Sequence, residues 1–272
     1  MLLFPDCKIN IGLRVVSRRA DGYHNIETVM YPVRGLCDAI EILPSDCPGV
    51  EFVSSGLRVD SPPEKNLCVR AYRAVAEKYP VGGVHIHLHK VVPMGAGLGG
   101  GSADAAFVIR GLSELFSLGL SVPEMERLAA GIGSDTAFFV ADRPALATGR
   151  GEVLSPVSLP LKGYRLMIVK PDEFVSTAEA YSHVVPRVPE RPLVEALASS
   201  VGTWRETVAN DFEASVFRNH PVLAAVKETL YRSGALYASM SGSGAAMYGI
   251  FDREVAVPDE FGDMFVYQEI LS

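Results

Sequence analysis

The chain opens on strict alternation. Ile9, Ile11, Leu13 and Val15 fall on one parity and Lys8, Asn10, Gly12 and Arg14 on the other, the period of two that marks a strand with one covered face. Arg18-Arg19-Ala20-Asp21-Gly22 reads as a turn, with Asp-Gly its strongest signal. Runs at 26–33 and 38–43 predict two more strands, and the Pro- and Gly-bearing stretch 44–63 a loop with one short strand at 50–53. Helical spacing of Leu67, Tyr72, Val75 and Tyr79 predicts a helix over 66–79. Val84 to His89 alternates again. Next come a Gly-rich stretch, a helix over 102–116 with the stripe Ala105, Val108, Ile109, Leu112, Leu115 and Phe116, and a second helix over 122–130. The second half predicts strands at 164–169, 236–240, 245–251 and 264–269, and helices at 176–184, 192–199, 204–217 and 221–233. Gly149-Arg150-Gly151 with Pro156 and Pro160 interrupts the pattern and divides the chain into domains at 1–153 and 154–272. No internal repeat is present.

Composition narrows the class. A length of 272 residues corresponds to two domains or one large one and buries a sizeable core without a metal or disulfide. With 25 Gly and 18 Pro, and 48% hydrophobic residues, the chain is neither collagen-like nor largely disordered. A net charge of −7 with no basic stripe sets nucleic acid aside as a partner. It also means that an anionic ligand must be met by a few local cations or backbone amides. Cys7, Cys37, Cys47 and Cys68 form no C-x-x-C pair and no zinc spacing, which predicts reduced thiols in a cytoplasmic protein. Met1 to Asp6 carries no basic n-region and no apolar run reaches 18 residues, so neither a signal peptide nor a membrane span is expected.

The strongest chemical feature is Pro93-Met94-Gly95-Ala96-Gly97-Leu98-Gly99-Gly100-Gly101-Ser102-Ala103-Asp104. Glycine loses more chain entropy on folding than any other residue, so five in seven positions are costly as mere structure. They supply bare backbone N–H groups, which form anion-binding concavities, followed by a helix N-terminus with its dipole and free amides. That equipment suits a di- or triphosphate; a tight packing turn is the plainer alternative. Gly95, Gly97 and Gly100 also fit G-x-G-x-x-G, but no strand follows the next helix, so the βαβ context of a dinucleotide fold is missing. Without a Gly-Lys pair there is no Walker A motif.

Other residues read two ways. Asp135, in Gly133-Ser134-Asp135, suits a general base or a helix N-cap. Lys8, with Asn10 on the same face, suits a site wall or a solvated charge. His85, His87 and His89 share a strand face that suits a metal or plain solvent. Ser241-Gly242-Ser243-Gly244 suits a hairpin connection or a second phosphate-facing nest.

Taken in order, Lys8-Ile9-Asn10, the loop from Pro93 to Asp104, and Met240-Ser241-Gly242-Ser243-Gly244 resemble the GHMP small-molecule kinases over essentially the whole chain. Arg18-Arg19-Ala20-Asp21-Gly22-Tyr23-His24, Gly133-Ser134-Asp135 and Asn210-Asp211-Phe212-Glu213 are similar to the branch that acts on a cytidine-diphosphate-linked sugar alcohol. The homoserine and mevalonate kinase types, or a non-catalytic nucleotide-binding module, are the alternatives. The resemblance implies a two-domain α/β fold of the α+β type with mixed and antiparallel sheets, an active site in the interdomain cleft, ATP and Mg²⁺ as cofactors, and small molecules as the only partners of a monomer or weak homodimer. It implies Lys8 and Asp135 as the catalytic pair. ATP would be held by Pro93, Met94, Gly95, Ala96, Gly97, Leu98, Gly99, Gly100, Gly101, Ser102 and Ala103, with Asn66 and Lys90 along the adenosine. Asn10, Tyr23, His24, Thr177 and Tyr181 would hold the substrate, the two tyrosines on either side of its cytosine. Ser102 is the implied contact for magnesium, since Ala103 stands where many members carry a second Ser.

Overall fold

The computed structural model describes residues 1–59 and 62–272. Contacts within the chain divide it into two compact units. One comprises Met1–Lys8, Arg34–Met94 and Gly99–Arg143; the other comprises Ile9–Val33, Gly95–Leu98 and Pro144–Ser272. The fold is mixed α/β, with three four-stranded sheets.

The first unit is built on a sheet of order β1-β4-β6-β5, formed by β1 (Leu2–Leu3), β4 (Ala39–Ser45), β6 (Gly83–Lys90) and β5 (Val50–Gly56). Only β5 and β6 run parallel, joined through α1 (Leu67–Ala76). Alternation along β6 decides its faces. Val84, Ile86 and Leu88 are buried while His85, His87 and His89 are exposed, because apolar area leaves water only on the face the helices cover. That layer contains α1, α2 (Gly100–Leu115), α3 (Val122–Ala130) and α4 (Phe138–Ala141). Ala105, Val108, Ile109 and Leu112 of the predicted stripe are fully buried on α2. Helix α3 starts where Ser121 and Glu124 form a capping box, satisfying two amides that the helix leaves unpaired. The histidine face is polar: His85 Nδ1 lies 2.9 Å from a Glu51 carboxylate oxygen, and Ser55 Oγ contacts His87 and His89.

The second unit holds a sheet of order β10-β11-β9-β12: β10 (Tyr237–Met240), β11 (Met247–Phe251), β9 (Arg165–Lys170) and β12 (Phe265–Ile270), all antiparallel. Helix α9 (Pro221–Arg232) packs on it through Leu223, Val226 and Leu230. The remaining sheet, β2-β3-β7-β8, combines β2 (Asp6–Arg18) and β3 (His24–Cys37) with β7 (Ala145–Thr148) and β8 (Val153–Pro156). The last pair is absent from the sequence reading, since four-residue strands beside Gly149 and Gly151 carry too few alternations to register. Strand β2 departs from the half-covered strand expected: Lys8 is 2% and Asn10 3% exposed, so both faces are covered.

The helix expected over 204–217 is two: α7 (Trp204–Thr207) and α8 (Glu213–Asn219). Between them the chain becomes extended at Val208 and bridges Leu13 of β2 in parallel at Asn210. Leu13 N–H donates to the Ala209 carbonyl at 2.9 Å and its carbonyl accepts from Asp211 N–H at 2.8 Å. Asn210 then donates from Nδ2 to the carbonyls of Met240 and Gly242, at 2.9 and 2.8 Å, and its Oδ1 accepts from Phe212 N–H at 3.0 Å. Tertiary hydrogen bonds outweigh a local helical preference of a few tenths of a kcal/mol per residue. Asn210→Ala orphans these buried groups and is expected to cost about 2–4 kcal/mol in urea unfolding. An unchanged midpoint would show that Asn210 holds nothing.

Candidate active site

In the first unit the side chains of Lys8 and Asp135 meet, with Nζ 3.4 Å from Oδ2. Strand β2 brings the lysine in, and the turn after α3 brings the aspartate. The lysine side chain is 3% exposed and the aspartate 33%. A buried ammonium is costly without a partner, so the ion pair replaces the solvated-charge reading of Lys8. The N-cap reading of Asp135 also falls: Ala137 caps α4 and no side chain bonds there.

Gly95–Leu98 of the glycine loop belong to the second unit, and the residues from Gly99 belong to the first. Gly95, Gly97 and Gly99 all have positive φ, at 61°, 75° and 72°. Gly97, in the second unit, leaves no room for a side chain, because a Cβ there would lie 1.9 Å from the Ser241 carbonyl oxygen. Ser241 Oγ donates to the Gly97 carbonyl at 2.8 Å and accepts from Asn10 N–H at 3.2 Å. Asn10 in turn donates from Nδ2 to Thr28 Oγ1 at 3.1 Å, and its carbonyl accepts from Tyr248 OH at 2.8 Å. The Ser-Gly-Ser-Gly stretch therefore connects β10 to β11 and also braces the first part of the loop.

Gly99, in the first unit, is the left-handed residue that opens α2. A Cβ there would lie 2.9 Å from Phe139 and 3.2 Å from Lys8 Cε, so the bare backbone sits directly against the ion pair. The first amides of α2 have no intrahelical acceptor and point along the positive end of its dipole, an anion-binding arrangement. Ala103 is fully buried and its N–H donates to the Gly99 carbonyl, so it offers a ligand no side-chain contact. Ser102 is half-buried. A Cβ placed on Gly133 would lie 3.0 Å from Thr136 Oγ1 and 3.8 Å from Ser102 Oγ, so the two hydroxyls flank a recess. Thr136 Oγ1 is buried with no hydrogen-bond partner among the described residues.

Asn66 caps α1, its side chain accepting from Cys68 N–H at 2.9 Å. Lys90 points inward: its ammonium donates to Asp38 and to Asp104, the latter at 2.8 Å. No sequence motif marked Asp38, the first residue of the strand expected over 38–43.

In the second unit His24 stacks on Tyr181, ring centres 4.8 Å apart and planes 17° apart, and Phe212 meets Tyr181 edge-on at 4.7 Å. Tyr23 is 58% exposed, with the Arg150 guanidinium 5.1 Å from its ring centre. Asp21 accepts from Tyr23 N–H at 3.1 Å, and Thr177 is exposed in the first turn of α5 (Thr177–Tyr181). His24 is thus a ring that faces Tyr181.

The glycine-led start of α2 lies against the Lys8–Asp135 ion pair, and comparison with known proteins gives the class. The GHMP kinases N terminal domain profile matches residues 66–143, and the GHMP kinases C terminal profile matches residues 193–261. A 4-diphosphocytidyl-2-C-methyl-D-erythritol kinase from Parabacteroides distasonis is 48% identical over 100% of both chains. One from Bacteroides thetaiotaomicron is 48% identical over 95% of each. A crystal structure of 4-(cytidine 5'-diphospho)-2C-methyl-D-erythritol kinase matches with a TM-score of 0.76 and 33% identity, covering 92% of this chain and 90% of that one. Streptococcus pneumoniae phosphomevalonate kinase, at 15% identity and a TM-score of 0.70 over 100% of this chain and 99% of that one, shares the fold. The chain belongs to the GHMP kinases and, within them, to the 4-diphosphocytidyl-2-C-methyl-D-erythritol kinases. Among the described residues no helix is long and apolar enough to cross a membrane.

Gly99→Ala puts a side chain into left-handed backbone and against Phe139. It is expected to destabilise the protein by about 1–3 kcal/mol in chemical denaturation. Unchanged stability would mean that the loop relaxes freely at this residue.

Proposed function

We propose that the protein transfers the γ-phosphate of ATP to the 2-hydroxyl of 4-diphosphocytidyl-2-C-methyl-D-erythritol, in the non-mevalonate route to isoprenoids. The observation that carries the mechanism is the Lys8–Asp135 ion pair set against Gly99 at the start of α2. Phosphoryl transfer asks a protein for positioning and charge neutralisation more than for covalent chemistry. The backbone from Pro93 to Ala103 takes the phosphates. The Asp135 carboxylate accepts the hydroxyl proton as the oxygen attacks phosphorus. The Lys8 ammonium holds that carboxylate in place and offsets negative charge developing on the transferred group.

Magnesium fits as a cofactor carried in by ATP. No group of three His, Cys, Asp or Glu residues among those described forms a cage for it, but the Ser102 hydroxyl beside the Gly133 recess suits one ligand position. Bound there, the ion would neutralise phosphate charge. Asn66 and Lys90 serve the ATP side, Lys90 through its main chain because its ammonium is engaged elsewhere.

Asn10, Tyr23, His24, Thr177 and Tyr181 take the acceptor, with the cytosine stacked on the aromatic rings and its edge read by His24. Stacking is worth about 1–3 kcal/mol per base in nucleic-acid systems, while edge hydrogen bonds reject a wrong base by leaving buried groups unpaired. Functionally, residues 1–153 form the ATP-binding domain and 154–272 the substrate domain. The protein works in the cytoplasm on small molecules alone, as a monomer or weak homodimer.

Asp135→Asn is expected to lower kcat by about 10²–10⁴-fold, the range for a general base, while ATP affinity holds. Lys8→Met, which keeps the buried volume, should be similarly slow, and the double variant little slower, because the two act as a unit. Steady-state kinetics and ATP titration check this. Near-normal turnover of Asp135→Asn, or multiplicative losses in the double variant, contradicts the assignment.

A further inference from the structure

Two buried carboxylates share one ammonium at the foot of the glycine loop. Asp38 is 1% exposed, Lys90 2% and Asp104 2%. Lys90 ends β6, Asp38 lies between β3 and β4, and Asp104 stands in the second turn of α2. One carboxylate oxygen of Asp38 accepts from Lys90 Nζ, and the other accepts from Val91 N–H at 2.6 Å and Val92 N–H at 2.8 Å. The backbone entering the loop is therefore held by Asp38 through two amides. The backbone leaving the loop is held by Lys90: Nζ donates to Asp104 at 2.8 Å, and a Cβ on Gly100 would lie 3.0 Å from that same nitrogen. The Lys90 carbonyl also accepts from Leu57 N–H at 2.8 Å, fixing the strand end.

Compared with apolar side chains of equal volume, a buried ion cluster contributes little net stability. What it does provide is fixed distances between the end of β6, the residue before β4 and the second turn of α2. A loop made mostly of glycine has almost no side chains with which to fix its own ends.

We propose that Asp38, Lys90 and Asp104 are positioning residues for ATP: the clamp sets the separation between the strand end and α2 at which the loop amides converge on phosphate. This rests on the reading of the loop as the ATP site. Electrostatics agree with a cluster under tension. Burial pushes the Asp104 carboxyl up to about 7 against the pull of Lys90, with Asp38 adding to the rise. The two carboxylates raise the Lys90 ammonium despite its burial. The remaining titratable neighbour, Cys68, is a buried thiol pushed well up by desolvation. Asp104 Oδ1 is buried with no hydrogen-bond partner among the described residues.

Lys90→Met removes both bonds and leaves two buried carboxylates, so it risks failing to fold. Asp104→Asn keeps the side-chain shape and leaves Lys90 paired with Asp38. A charge-assisted bond is roughly twice as strong as a neutral one, and apparent affinity scales with the fraction of molecules in the competent geometry. Asp104→Asn should therefore weaken Mg–ATP binding by about 5-fold in calorimetric titration. Its KM for the cytidine-diphosphate acceptor should stay within about 2-fold and its melting temperature within a few degrees of wild type. Unchanged ATP affinity in folded Asp104→Asn overturns the clamp alone. So does a parallel loss of ATP affinity, acceptor affinity and melting temperature, the pattern of a merely structural role. A wild-type chain that binds no Mg–ATP overturns both the clamp and the reading beneath it.

Discussion

Phosphate gripped by bare backbone requires a loop that cannot hold its own shape. Every glycine that lets amides converge on an anion removes a side chain that would have fixed the conformation. The constraint is therefore exported to the residues on either side. In the second unit, Ser241 and Asn10 brace the loop at Gly97, with Asn210 holding the Ser241 turn by its flanking carbonyls. In the first unit, Asp38, Lys90 and Asp104 tie the strand before the loop to the helix after it. The polar groups committed to this are among the most deeply buried in the chain.

The same reasoning explains why β2 spends buried positions on Lys8 and Asn10. Hiding an ammonium costs several kcal/mol, which the pairing with Asp135 at 3.4 Å helps to offset. A protein built for stability alone would place a leucine there. The arrangement instead keeps Lys8 preorganised beside Asp135, whose carboxylate retains access to solvent. Electrostatic help given by groups already in place needs no reorganisation during reaction.

Much of this is legible in the sequence, and what is not has physical causes. Helix α3 falls where the sequence places it, around 122–130, because the signals that start it are local. Strand β6 reads equally well, since exposed histidines alternate with buried aliphatics. Strand β2 misleads: alternation implies one wet face, but Lys8 and Asn10 are buried nearly as deeply as Ile9 and Ile11. The split between α7 and α8 is invisible because its cause, the bridge from Asn210 to Leu13, spans nearly 200 positions. The glycine loop stands out by residue type, whereas Lys8 and Asp135 are brought together only by the family resemblance. Neither marks the clamp: Asp38 resembles any aspartate at a strand's start until the fold delivers Lys90 to it, and the stacking of His24 on Tyr181 depends equally on distant parts of the chain.

Selection of the acceptor by its cytidine end is the proposed property from which the choice of substrate follows. It is tested most directly by phosphate transfer from ATP to 4-diphosphocytidyl-2-C-methyl-D-erythritol, set beside mevalonate, homoserine and galactose, for wild type and for Tyr181→Ala. The account predicts turnover of the cytidine compound alone, and in Tyr181→Ala a KM for it raised by about 10-fold with KM for ATP nearly unchanged. Comparable turnover of any other acceptor would contradict it. So would a Tyr181→Ala variant that melts earlier yet keeps its KM for the cytidine compound.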